Sequence, residues 1–169
     1  MRLILASTSP RRKELLTLLG VRFDIVAPPF VEQVAPNRSA EQQAVEFAVG
    51  KAKSCIELFP DALILGSDTL ISLGSEVLGK PADLADAESM LRRMAGQMHK
   101  IFTAVALAGS GTESCEVQVA EVSVTMKPLN EEALAAYLRT GDSLGKAGAY
   151  SIQGGGAALI ERIEGDYTA

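Results

Sequence analysis

A chain of 169 residues with a formal net charge of −5 has room for one full hydrophobic core, with two lobes at most, and not for two ordinary domains. With 47% hydrophobic and 22% charged residues it reads as globular, and no apolar run approaches the roughly 18 residues that a membrane helix requires. Net acidity, the lack of tryptophan and only 5% aromatics argue against a nucleic-acid surface, and one histidine, His99, is too few for a multi-histidine zinc site. Cys55 and Cys115 have no metal-type spacing and lie in apolar stretches, so both are expected as buried free thiols of a cytoplasmic protein.

Leu3 to Ala6 form a short apolar run suited to a strand buried on both faces, and Ser7-Thr-Ser9 break it. Ser9 as N-cap, Pro10 at the first helical position, a stripe of Leu15, Leu16, Leu18 and Leu19, and Gly20 as the stop predict a helix. Arg11, Arg12 and Lys13 then put three cations in a first turn, where the helix dipole favours negative charge. Free amides, the hydroxyls of Ser7 and Ser9 and these cations describe a phosphate site, unless the cations simply point into water.

Residues 21–26 alternate as a strand, followed by a proline-punctuated loop that carries Glu32. Ser39 to Gln42 has capping-box form, and Val45, Ala48, Val49, Ala52, Ile56 and Phe59 predict a helix running to Pro60 with Lys51 beside its stripe. A strand over 62–65 is expected to break at Gly66-Ser-Asp-Thr69, resume at 70–73 and turn at Gly74-Ser75 into a hairpin with 76–78. Asp83 caps a helix ending near Gly96, whose Arg92 and Arg93 read as solvated charge. Strands follow over 101–108 and 113–126 around a turn at 109–111, the second with a change of apolar phase that predicts a bulge near Ala120 and Glu121. Asn130 caps a helix to Thr140, a glycine-rich loop spans 145–156, and 157–163 is the last strand.

Asp68 is the most informative carboxylate, because an unpaired charge between two apolar strand segments costs several kcal/mol. Metal coordination, activation of a water, or an ion pair with a lysine or arginine would each compensate it. Glu32 is a weaker second carboxylate, Lys51 and Lys80 are candidate phosphate contacts, and Tyr150 and Gln153 sit in a glycine loop that permits close approach of bare backbone to a ligand.

Leu3-Ile-Leu-Ala-Ser-Thr-Ser-Pro-Arg-Arg12, Lys51-Ala-Lys53, Gly66-Ser-Asp-Thr69, Gly79-Lys-Pro81 and Gly145-Lys-Ala-Gly-Ala-Tyr-Ser-Ile-Gln-Gly154, in this order, closely resemble the Maf family of nucleoside triphosphate pyrophosphatases. The resemblance implies an α/β fold with a curved mixed β-sheet flanked by helices, two lobes around a central cleft, and Mg²⁺- or Mn²⁺-dependent cleavage between the α- and β-phosphates. It makes Asp68 the water-activating acid and a metal ligand, with Glu32 as the second acidic ligand. Ser7, Ser9, Arg11, Arg12, Lys51 and Lys80 become the phosphate-binding set. Arg11, Thr69 and Gln153 match positions that vary between substrate subclasses, and this combination resembles the dTTP/UTP type. The alternative is a non-catalytic nucleotide-binding regulator of cell division acting through a protein partner.

Residues 1–169 are expected as a single Maf-like domain. In the family the segment at Gly165-Asp-Tyr167 runs on into an apolar stretch and a final helix, whereas this chain ends at Ala169. Its absence is expected to bare an apolar patch and favour self-association as a homodimer. The implied partner is a nucleoside triphosphate, with no nucleic acid and no membrane.

Overall fold

Apolar runs at the start of the chain form parallel strands with helices between them. The computed structural model describes residues 2–109 and 115–168. In chain order the elements are β1 (Arg2–Ala6), α1 (Pro10–Leu18), β2 (Asp24–Val26), α2 (Ala40–Lys53), β3 (Ala62–Leu73), β4 (Glu76–Leu78), α3 (Leu84–Met94), β5 (Met98–Gly109), β6 (Glu116–Met126), α4 (Glu131–Arg139) and β7 (Ile160–Glu164). Together they make an open mixed sheet of seven strands in the order β2-β1-β3-β5-β6-β7, with β4 paired to β3. Among the described residues no helix is long and apolar enough to cross a membrane.

The chain divides into two compact units, residues 1–68 with 103–119, and residues 69–102 with 120–169. In the first unit β1 pairs parallel with β2 on one side and β3 on the other, with Ala6 opposite both Val26 and Gly66. The connection from β1 leads outward one way and the connection from β2 leads back past it, so β1 is a topological switch point. In open α/β sheets ligands bind beyond the carboxyl ends of the strands at such a point.

In this unit α2 buries Ala40, Gln43, Ala44, Phe47, Ala48, Lys51 and Ala52. Val45 and Val49 are only half-buried, so the helix presents its small face rather than its β-branched one. Gly66 explains the choice, because a Cβ there would lie 2.2 Å from the Ala48 carbonyl oxygen and 2.7 Å from the Ala52 nitrogen. Helix and strand backbones touch, and only alanines facing glycine allow it. The helix ends at Lys53, earlier than its apolar spacing predicts, as the Ser54 hydroxyl donates to the Lys51 carbonyl at 2.9 Å.

The expected break in β3 is absent. Gly66, Ser67 and Asp68 are buried inside one continuous twelve-residue strand, with Gly66 serving helix packing rather than a turn. Leu18 and Leu19 also depart from expectation: only Leu16 of the α1 stripe is buried, while Leu18 is 81% and Leu19 73% exposed.

The second unit holds its own core of Ile71, Leu91, Met94, Ile101, Val122, Val124, Met126, Leu134, Tyr137 and Tyr150. The predicted caps are present: the side chains of Asp83 and Asn130 accept from Asp86 and Ala133 amides at 2.8 Å each. Val122, Val124 and Met126 point inward, which accounts for the apolar phase of this half of β6, and the phase changes where the chain passes between units. A register shift in the β6–β7 pairing falls between Thr125 and Met126. The last strand begins at Ile160, later than its apolar run suggests, because 155–159 wind into a 3₁₀ turn. Arg92 and Arg93 are exposed as expected and pair with Glu88, Glu131 and Glu76. The turn predicted at 109–111 and the start of the strand at 113 lie largely outside the described residues. Cys55 is a buried free thiol and Cys115 only a half-buried one.

Candidate functional site

Immediately beyond the carboxyl end of β1, Ser7 is buried and its Oγ accepts from the Ser9 amide at 3.2 Å and from the Arg12 guanidinium at 3.3 Å. Ser9 takes the N-cap position of α1 without a side-chain cap hydrogen bond, and Pro10 follows at the first helical position. The three first-turn cations part company. Arg12 turns inward; burial lowers its pKa, opposed by Asp68 and then Glu32, so both carboxylates feel its charge. Arg11 lies 3.7 Å from Glu14, with its Nε buried and lacking a hydrogen-bond partner, and of the three Lys13 alone is exposed.

The close contact of α2 with β3 sets Lys51 beside Asp68. The ammonium donates to Asp68 Oδ1 and lies 2.6 Å from Glu32 Oε1. Asp68 and Lys51 are both buried, whereas Glu32 reaches in from an exposed loop. Burial pushes the Asp68 carboxyl up from its ordinary range; the Lys51 charge and hydrogen bond oppose this, Glu32 adds to it and Arg12 counters it. Asp68 is thus compensated by a lysine ion pair, one of the alternatives its position allowed.

Side chains that sequence patterning did not single out place Glu32. Gln43 is fully buried; its Oε1 accepts from the Ala35 amide at 2.8 Å and its Nε2 donates to the Arg38 carbonyl at 2.9 Å, pinning the loop to α2. Phe30 packs against Phe47 with ring centroids 6.1 Å apart, over Gly50, where a Cβ would meet the ring at 2.2 Å. The available signal was Gln43 one helical turn before Phe47, directly after the proline-rich loop.

Two carboxylates and two cations leave this cluster neutral. Among the described residues no group of three or more His, Cys, Asp or Glu could hold a metal ion. The donor set does suit Mg²⁺ or Mn²⁺, which bind one or two carboxylates and complete their shell with water and phosphate oxygens. Asp68 and Glu32 converge on a single positive centre, now the Lys51 ammonium.

The remaining predicted residues belong to the second unit. Thr69 continues β3 and is half-buried, and Lys80 is exposed. The Gly79 carbonyl accepts from the Gly148 amide at 3.0 Å, which joins the Gly-Lys-Pro segment to the glycine-rich loop. This loop is tightly held. Gly148 and Ala149 both have φ of +62°, unusual for alanine, and Ala149 is fully buried. The Tyr137 hydroxyl donates to the Ala149 carbonyl at 3.2 Å, and Asp142 Oδ2 accepts from the Gly155 amide at 3.0 Å while Oδ1 pairs with Lys146. Tyr150 packs edge-on against His99 and shares a hydrogen bond with its Nε2. Gln153 Nε2 donates to the Tyr167 carbonyl.

Fold and cluster together define a class of α/β protein: an open mixed sheet with an acid–ammonium cluster at the end of its switch-point strand. The fold is similar to that of the Staphylococcus aureus Ham1 protein (TM-score 0.51, 12% identity, 75% of this chain and 72% of that one). A family model described as Maf-like protein matches residues 2–169, and the chain belongs to that family. It is 46% identical over 166 residues to the dTTP/UTP pyrophosphatase of Symbiobacterium thermophilum, covering 98% of this chain and 84% of the relative. It is also 46% identical over 169 residues to the dTTP/UTP pyrophosphatase of Salmonella typhimurium, covering 99% and 84%.

Proposed function

We propose that this protein is a nucleoside triphosphate pyrophosphatase that hydrolyses dTTP and UTP, and pyrimidine nucleotides sharing their hydrogen-bonding edge, to the monophosphate and pyrophosphate. The observation that carries the reading is the Lys51 ammonium shared by Asp68 and Glu32, with the Arg12 charge facing both carboxylates. The names of the relatives supply the substrate class.

Asp68 is the general base. Its raised pKa strengthens it as a proton acceptor, while Lys51 favours the ionised form by charge and hydrogen bond. Arg12 and Lys51 meet phosphate oxygens and hold the charge that develops on the α-phosphate as water attacks in line. Arg11 and Lys80 are assigned to the same anionic groups, and Ser7 orients Arg12. Asp68 and Glu32 are the residues that would hold Mg²⁺ or Mn²⁺. When bound, that ion supplies charge neutralisation to the triphosphate. Gln153 reads the base, since a neutral amide can donate to O4 and accept from N3–H of uracil or thymine.

Pyrophosphate release from dTTP and UTP, measured with Mg²⁺, with Mn²⁺ and after chelation, tests the reading. Activity is expected only with metal. Asp68→Asn should keep the fold and much of the nucleotide binding but lose turnover, and near wild-type turnover in that variant sinks the assignment.

A further inference from the structure

A primary amide presents a donor and an acceptor side by side, and a half-turn about its last bond exchanges them. In one orientation Gln153 matches the O4 acceptor and N3–H donor of uracil or thymine. In the other it matches the amino donor and N3 acceptor of cytosine. An amide free to turn would accept all three bases.

Gln153 is not free to turn. One of its two N–H groups is given to the main-chain carbonyl of Tyr167. A carbonyl only accepts, so the half-turn would set Oε1 against it oxygen to oxygen. The second N–H and the Oε1 lone pairs remain for a base, with only a long contact of 3.5 Å from Ser151 Oγ on the acceptor side.

The Tyr167 carbonyl is itself held in place. The Tyr167 phenol donates to the carbonyl of Ile152, the neighbour of Gln153, at 3.3 Å, so the strap of residues 165–168 and the loop are tied twice. Asp166 Oδ1 accepts from the amide and hydroxyl of Thr168 at 2.8 and 2.7 Å and closes a local turn. Gly165 starts that turn with φ of +123°, and a Cβ there would lie 3.0 Å from the Glu121 carbonyl oxygen.

We propose that Tyr167 is a positioning residue for base choice: its carbonyl fixes the amide of Gln153 in the orientation that takes uracil and thymine and refuses cytosine. This rests on the pyrimidine triphosphate reading above. The test compares kcat/KM for UTP and CTP in the wild type, Gln153→Ala, Tyr167→Phe, Tyr167→Ala and Gly165→Ala, with thermal melting as the check on folding. The wild type prefers UTP, and Gln153→Ala loses most of that preference. Tyr167→Ala and Gly165→Ala lower the UTP-to-CTP ratio roughly tenfold, as expected for one hydrogen bond, chiefly by a gain on CTP that mere destabilisation cannot produce. Tyr167→Phe moves the ratio the same way by less. Loss of preference in Gln153→Ala with wild-type ratios in the strap variants overturns the proposal and leaves the base reader standing. Hydrolysis of neither triphosphate by the wild type, or an unchanged ratio in Gln153→Ala, overturns the underlying reading and this proposal with it. Should the alanine variants not fold, the Tyr167→Phe ratio decides, and no change there refutes the proposal.

Discussion

His99 offers a test of the second unit that is independent of substrate. The imidazole is 1% exposed and shares Nε2 with the Tyr150 hydroxyl. Burial lowers its pKa from 6.5 to about 4, with the Gln97 backbone opposing. In the folded protein the ring therefore stays neutral where the unfolded chain binds a proton, so stability is full above pH 6.5 and lost as pH falls toward 4. At about 1.4 kcal/mol per pH unit for one proton, the loss across this window is about 3 kcal/mol. His99→Gln removes the titration while keeping a polar partner for Tyr150. Urea unfolding of both proteins at several pH values between 7.5 and 4 isolates the effect from the carboxylates common to both. The variant is less stable at pH 7.5, and the gap narrows by about 3 kcal/mol on acidification. A gap that stays constant while both proteins unfold cooperatively refutes the buried neutral imidazole.

Gly66→Ala should destabilise by at least about 3 kcal/mol in chemical denaturation, since a methyl meets backbone rather than a movable side chain. It should also weaken catalysis by shifting Lys51 from Asp68, and a variant with wild-type stability would show that α2 does not pack on β3 as described. The acid limb of kcat/KM is expected to report Asp68, whose carboxyl burial raises and the Lys51 charge lowers. Lys51→Met should move it up, as the ammonium lowers that pKa, and a limb that stays put argues against Asp68 as the titrating base. Gln153→Glu should lose the dTTP and UTP preference over purine triphosphates, because a carboxylate cannot donate to O4; an unchanged ranking means that Gln153 does not read the base.

Much of this molecule was legible locally. The strand, hydroxyl turn and Pro10-led helix at the start, the caps at Ser39, Asp83 and Asn130, and the hairpin at Gly74-Ser75 follow from chain-neighbour chemistry that needs no partner. The Maf-type motifs named the family because they keep their order along the chain. What sequence could not decide depends on groups far apart in the chain. Gly66 looked like a break because glycine is read as turn chemistry, whereas here it is the one residue thin enough for α2 to touch β3. The same contact chose the alanine face of α2 over its valines and set Lys51 against Asp68, so the partner of a buried carboxylate was fixed by helix packing. Gln153 could be picked out as an amide in a glycine loop, but which of its two ends is committed was decided by the carbonyl of Tyr167, fourteen residues away. Residue type and local spacing determine which chemistries are available. Tertiary packing determines which atoms are left to perform them, because a hydrogen bond or ion pair made elsewhere in the fold removes that donor or acceptor from use.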